Sequence, residues 1–148
     1  MKFNSQICTT KEQSERLLAL GLNKETADCY YYAQQRWTGN SYENTGELFL
    51  SPLWSIDDKG HFQYLNEIFK DEVGEDDTPY VLPAWSLHRL LGLLPSNAGD
   101  FKLEFDYPYE VGYNCLIFFN KGYLYDNIID CIEWLIKEGH FNKEYLEE

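Results

Sequence analysis

The chain has 148 residues and carries 25 Asp and Glu against 12 Lys and Arg, a formal net charge of −13. A surface of that sign repels nucleic-acid phosphates and anionic lipid and attracts basic partners or cations, so direct nucleic-acid binding is not expected. With 44% apolar and 17% aromatic residues the chain lies far from the disordered class, and its length suits one domain spanning residues 1–148.

The first element is a short helix that Thr9 can cap while Glu12 reaches back in a capping box. It carries Leu17, Leu18 and Leu20, stops at Gly21, and has Leu22 to pack behind the stop. The stretch from Asp28 to Arg36, rich in Tyr and holding Cys29, reads as a strand that Thr38-Gly39-Asn40 breaks. Leu48, Phe49 and Leu50 suit a short strand before Pro52. Phe62, Leu65 and Phe69, with Ile68 alongside, fall at helical intervals and predict a helix. The run from Asp71 to Asp77 holds five carboxylates and Gly74 and reads as an exposed loop.

Pro83 and Ser86 both offer helix-start chemistry, and Leu87, Leu90, Leu91 and Leu94 then share a face until Pro95 ends the run. From Phe101 to Tyr107 apolar residues alternate strictly with Lys102, Glu104 and Asp106, so Phe101, Leu103, Phe105 and Tyr107 are expected on a buried face. Val111 to Phe119, with the apolar Cys115 to Phe119, reads as one buried strand paired antiparallel with its predecessor. After the turn Asn120-Lys121-Gly122, Asp126 can cap a last helix that runs through Ile128, Ile129, Ile132, Leu135 and Ile136 to Gly139. Helices and an antiparallel pair in mixed order, without repeated strand-helix-strand units, predict an α+β fold: an antiparallel sheet with helices packed on it in a single compact domain.

The four cysteines, Cys8, Cys29, Cys115 and Cys131, show no metal-binding spacing and read as buried free thiols. The start MKFNSQICTTKEQ lacks an apolar export signal, and no window approaches the roughly 18 apolar residues of a membrane span, so a cytoplasmic protein is expected. Ser86 and His88 invite a nucleophile-and-base reading, but no glycine-flanked sharp turn surrounds them, and Ser86 is better explained as a helix cap. Glu104 and Asp106 share a strand face, which alternation explains as the solvated side. The acidic run lacks the spaced ligands of a calcium loop, and His61, His88 and His140 lack ligand spacing, so no metal and no cofactor is expected.

The phrases TTKEQSERLLALGL followed by ETAD, LPAWSLHRLLGLLP and YDNIIDCIEWLIKEG resemble a set of small uncharacterised proteins encoded in prophages and mobile elements of gut-dwelling bacteria. The similarity covers both ends and the central helix and least involves the acidic middle. It implies a genomic setting and no activity. Ten acids against two bases lie between Glu43 and Asp77, a local charge of 2 − 10 = −8. The expectation is therefore a non-enzymatic acidic protein that binds a basic protein surface. Its candidate contact residues are Asp71, Glu72, Glu75, Asp76 and Asp77, with Trp37 and Trp85 as apolar anchors. The alternative is a small-ligand pocket lined by aromatic residues and carboxylates.

Overall fold

The computed structural model describes residues 6–52, 54–56, 62–64, 80–106, 110–113, 117–120 and 122–148. Three α-helices are described: α1 (Lys11–Ala19), α2 (Leu87–Leu93) and α3 (Leu124–Lys137). The strands are β1 (Cys29–Trp37), β2 (Tyr42–Pro52), β3 (Trp54–Ile56), β4 (Phe62–Tyr64), β5 (Tyr80–Ala84), β6 (Asn97–Ala98), β7 (Phe101–Asp106), β8 (Glu110–Tyr113) and β9 (Ile117–Phe119). They form a three-stranded sheet of order β2-β1-β5, a β3-β4 pair and a four-stranded sheet of order β6-β7-β8-β9. Among the described residues every pairing is antiparallel. The architecture is α+β.

Helix α1 ends as its sequence demands. Gly21 adopts φ 87°, and the amides of Gly21 and Leu22 bond back to the carbonyls of Leu18 and Leu17, leaving Leu22 wholly buried. Its start differs by one residue from the expectation. Thr10, not Thr9, is the N-cap, and its box partner is Gln13: Thr10 Oγ1 accepts the Gln13 N–H, and Gln13 Oε1 accepts the Thr10 N–H. Two adjacent threonines offer the same cap chemistry, and Thr9 is drawn inward by a buried contact between its hydroxyl and that of Ser14.

In the three-stranded sheet β1 is central, and the prolines at its borders lie on the two edge strands: Pro52 pairs with Cys29, and Pro83 with Tyr30. An edge strand can spare the N–H that proline lacks. Pro83 is thus a strand residue rather than a helix start, and Ser86 alone caps α2 by accepting the Arg89 N–H. The expected helix from Phe62 is overturned over Phe62–Tyr64, which pairs with Trp54–Ile56 as a strand. A few apolar residues at helical spacing are outweighed there by cross-strand pairing. Its remainder, residues 65–69, lies outside the described residues, as do the acidic run 71–77 and Cys115.

The expected antiparallel pairing after Phe101 is present, with Leu103 opposite Tyr113 and Phe105 opposite Val111. What was expected as one strand from Val111 to Phe119 is two, β8 and β9, which pair antiparallel with Gly112 opposite Phe118 and Tyr113 opposite Ile117. Helix α3 packs on β8 and β9. It buries Ile128, Ile129, Ile132 and Leu135 against Val111 and Tyr113, together with Leu90 and Leu93 of α2 and Leu17 of α1. Its end repeats the α1 device, with Gly139 at φ 75° and the amides of Gly139 and His140 returning to Ile136 and Leu135. Its start is corrected: the N-cap is Tyr123 without a side-chain bond, while Asp126 accepts a hydrogen bond from Gln13 Nε2 at 2.7 Å.

The alternation in β7 identifies which residues share a face but not what covers it. With α3 over β8 and β9, Leu103 alone of β7 joins the core, and Phe101 and Phe105 remain 38% and 54% exposed. Truncating Ile132 to Ala is therefore expected to cost about 2–5 kcal/mol, whereas Phe105→Ala costs less than about 1 kcal/mol. Urea unfolding of the two variants checks the assignment, and equal losses would contradict it.

Candidate functional site

Among the described residues, polar and reactive side chains gather where β5 passes into α2. Trp85 follows β5 and is wholly buried. Its backbone N–H donates to Thr9 Oγ1 at 3.0 Å, its carbonyl accepts the Thr9 N–H at 2.9 Å, and its indole N–H donates to Thr26 Oγ1 at 2.9 Å. The Thr26 hydroxyl donates onward to the Asn23 carbonyl at 2.7 Å, so it both accepts from the indole and donates to the backbone. The next residue, Ser86, donates its backbone N–H to Asp28 Oδ1 at 2.7 Å and its hydroxyl to Asp28 Oδ2. Arg89 Nε donates to the Thr26 carbonyl at 2.6 Å.

Asp28 is almost fully buried. A carboxylate out of water is costly unless donors replace its hydration, and the two bonds from Ser86 supply this. The Ser86 hydroxyl is thereby committed on both sides, donating to Asp28 and accepting from Arg89 at 3.2 Å. That is cap chemistry rather than nucleophile chemistry. His88, the other residue of the tempting pair, is exposed.

Beside this junction the thiols of Cys8 and Cys29 meet, with the sulfurs 2.6 Å apart and both residues buried. They form a small second cluster with Ala84, against which Tyr31 and Leu50 pack. Tyr31 donates its hydroxyl to the Thr9 carbonyl at 2.8 Å. The hydrogen bond with Cys8, reinforced by burial, raises the Cys29 pKa. Burial alone pushes the Cys131 thiol up to about 12. Raised values suppress the thiolate, the nucleophilic form. Burial likewise raises Tyr31, Tyr113 and Tyr125.

Of the expected contact residues the structure describes Trp37 and Trp85, which stand apart. Trp85 is a core residue, while Trp37 is 55% exposed and pairs with Tyr42 at the far end of the β1-β2 hairpin. At roughly 3.3 Å per residue the nine residues of β1 set the two ends about 26 Å apart. Asp71, Glu72, Glu75, Asp76 and Asp77 lie outside the described residues. Glu104 is half-buried and Asp106 exposed, and among the described residues no three His, Cys, Asp or Glu converge as metal ligands.

Sequence reasoning missed Asp28, Thr26 and the Cys8-Cys29 contact. Asp28 carries no local signal because its partner is 58 positions away. Four cysteines allow three pairings that spacing alone cannot rank. No protein-family model, curated protein or solved structure matches the chain.

Replacing Asp28 by Ala orphans the Ser86 N–H, with an expected loss of about 1–3 kcal/mol, measurable as a lowered urea midpoint at unchanged slope. The raised Cys131 value also fixes a sign. A thiol that binds its proton more tightly when folded contributes stability that is complete below the ordinary value of 9.0 and is lost as pH climbs towards about 12. Between pH 9 and 10 the unfolding free energy should therefore fall by about 1 kcal/mol more in the parent than in Cys131→Ala. Parallel slopes would contradict it.

Proposed function

We propose that the chain is a non-enzymatic interaction protein of a phage or mobile element that docks on a basic protein surface. The observation that carries this reading is the formal charge of −13, with −8 of it between Glu43 and Asp77. Charge at that density steers association with a basic partner and disfavours nucleic acid directly. The chemistry of the described polar junction supports the same reading from the other side. Its aspartate and thiols are buried and its half-buried serine is committed to the aspartate, which suits a structural role and leaves the exterior as the place of contact. The mobile-element setting rests on the resemblance of the two ends and the central helix described above.

Trp37 adds an apolar anchor to this reading. An indole at the tip of a two-stranded arm, beside the Arg36-Glu43 pair, has the chemistry of an interface hot spot that charge brings into range.

The experiment is capture of basic proteins from a bacterial lysate over a salt series with two variants of equal charge. One neutralises Asp71, Glu72, Glu75, Asp76 and Asp77, leaving −13 + 5 = −8. The other neutralises the exposed Glu12, Glu25, Glu138, Glu144 and Glu147, also leaving −13 + 5 = −8. Loss of capture confined to the first variant is the expected result, with attraction fading as salt shortens screening below about 8–10 Å. Trp37→Ala is expected to weaken capture without altering its salt dependence. Equal loss in both charge variants would reduce the effect to ion exchange, and no loss in either would favour a small ligand instead.

A further inference from the structure

We propose that Cys8 and Cys29 are a disulfide-forming pair whose oxidation fastens the segment before α1 to the first residue of β1. Three observations converge on this pair. The two thiols are in direct contact, so each sulfur already lies within reach of the other. They stand on separate segments, 21 positions apart, that are held side by side by other bonds. Cys8 bridges to Ser86, the adjoining Thr9 exchanges two hydrogen bonds with Trp85, and Cys29 pairs with Ala84. Both are thus received by the same stretch, Ala84 to Ser86, where β5 passes into α2. Cys131, by contrast, sits in the main core among aliphatic residues of α2, α3 and β8.

The chemistry is thiol-disulfide exchange with a low-molecular-weight disulfide, RSSR. One cysteine, as thiolate, attacks RSSR, forms a mixed disulfide and releases RS⁻. The second thiolate then attacks the protein sulfur of that mixed disulfide and expels the second RS⁻. Two protein thiols and one RSSR become one protein disulfide and two RSH, so the protein loses two electrons and two protons and the oxidant gains them. Both cysteines are buried, so the first attack requires the segment around Cys8 to lift away. Among the described residues the bonds that oppose that motion are the Cys8 bridge, the Thr9-Trp85 pair, the Thr9-Ser14 hydroxyl contact, the Gln6-Gln13 side-chain bond and the Tyr31 hydroxyl on the Thr9 carbonyl. The same segment that admits the oxidant is the one the product ties down.

The test uses the full chain, reduced, freed of reductant and incubated with excess glutathione disulfide. After unfolding in denaturant, two of the four thiols should remain titratable, against four in the reduced protein. A non-reducing digest should yield one cross-linked peptide pair joining Cys8 to Cys29. Closing a loop of this size should raise the Tm by roughly 6–12 °C, reversibly on adding reductant. Cys8→Ala and Cys29→Ala should abolish the shift, and Cys131→Ala should preserve it. Four free thiols after oxidation, a cross-link mapped to Cys115 or Cys131, or persistent glutathione adducts on Cys8 or Cys29 would each overturn the proposal. Peptide mapping of the parent chain decides the matter even where a variant fails to fold.

Discussion

The buried carboxylate of Asp28 is the constraint on which the arrangement of sheet and helices depends. Placing an ion there costs several kcal/mol unless hydrogen bonds replace water, and the donors are the backbone and hydroxyl of Ser86. Those bonds carry the β1-β5 register past its last pair, Cys29 opposite Ala84, using a side chain where backbone pairing stops. Residue 86 is simultaneously the cap of α2. The start of one strand, the end of another and the first turn of a helix are therefore set by one acid. Trp85, between the paired residues, turns into the core and is held by Thr26 from the segment just before β1. Three consecutive residues are thus each fixed by a different partner within four positions of one another.

Helix α1 links this junction to the rest. Leu17 enters the main core while Gln13 and Arg16, on the neighbouring part of the same face, reach across to α3. Gln13 donates to Asp126, and Arg16 bonds Asp130 and Glu133, residues spaced four and three apart along one flank of α3. Burial works against the Arg16 charge, but the two carboxylates together outweigh it and raise its pKa. This pairing bears on how the net charge is read. Asp28, Asp130 and Glu133 face protein partners, so the surplus of 13 negative charges is not spread evenly over the surface. A charge total fixes the sign of long-range attraction but not the place of contact.

Periodicity made much of the fold legible. The apolar stripe of α3, the leucines of α2, the alternation of β7 and the glycine stops after α1 and α3 all reflect rules of short range. The discrepancies share a cause: each depended on something distant in sequence. Thr9 and Thr10 are equally good caps until Ser14 and Trp85 claim Thr9. Asp126 reads as a cap until Gln13, 113 positions earlier, becomes its donor. Phe62 joins a strand because Trp54–Ile56 lies opposite, and Phe105 stays exposed because α3 covers the neighbouring strands instead. Alternation tells which side chains share a face, and only packing tells whether that face is covered. The Asp28 junction was invisible for the same reason, since a carboxylate before a Tyr-rich stretch looks like any exposed acid.

The two hydrophobic clusters differ greatly in what they can hold. The larger gathers side chains from all three helices and from β8, so opening any part of it exposes aliphatic surface from several elements at once. The smaller consists of Cys8, Cys29 and Ala84 with Tyr31 and Leu50 packed on it, and its residues are short. Local opening follows the weakest set of buried contacts, and the segment around Cys8 is held by one bridge and a few hydrogen bonds rather than by a deep apolar face. Its freedom is coupled to the junction, because Thr9 shares its backbone and hydroxyl with Trp85, whose indole lies in the larger cluster. Whatever stiffens the contact between Cys8 and Cys29 therefore acts at the thin edge of the fold. There it suppresses the opening that the rest of the core leaves available, and it does so without altering the helical face or the acidic exterior.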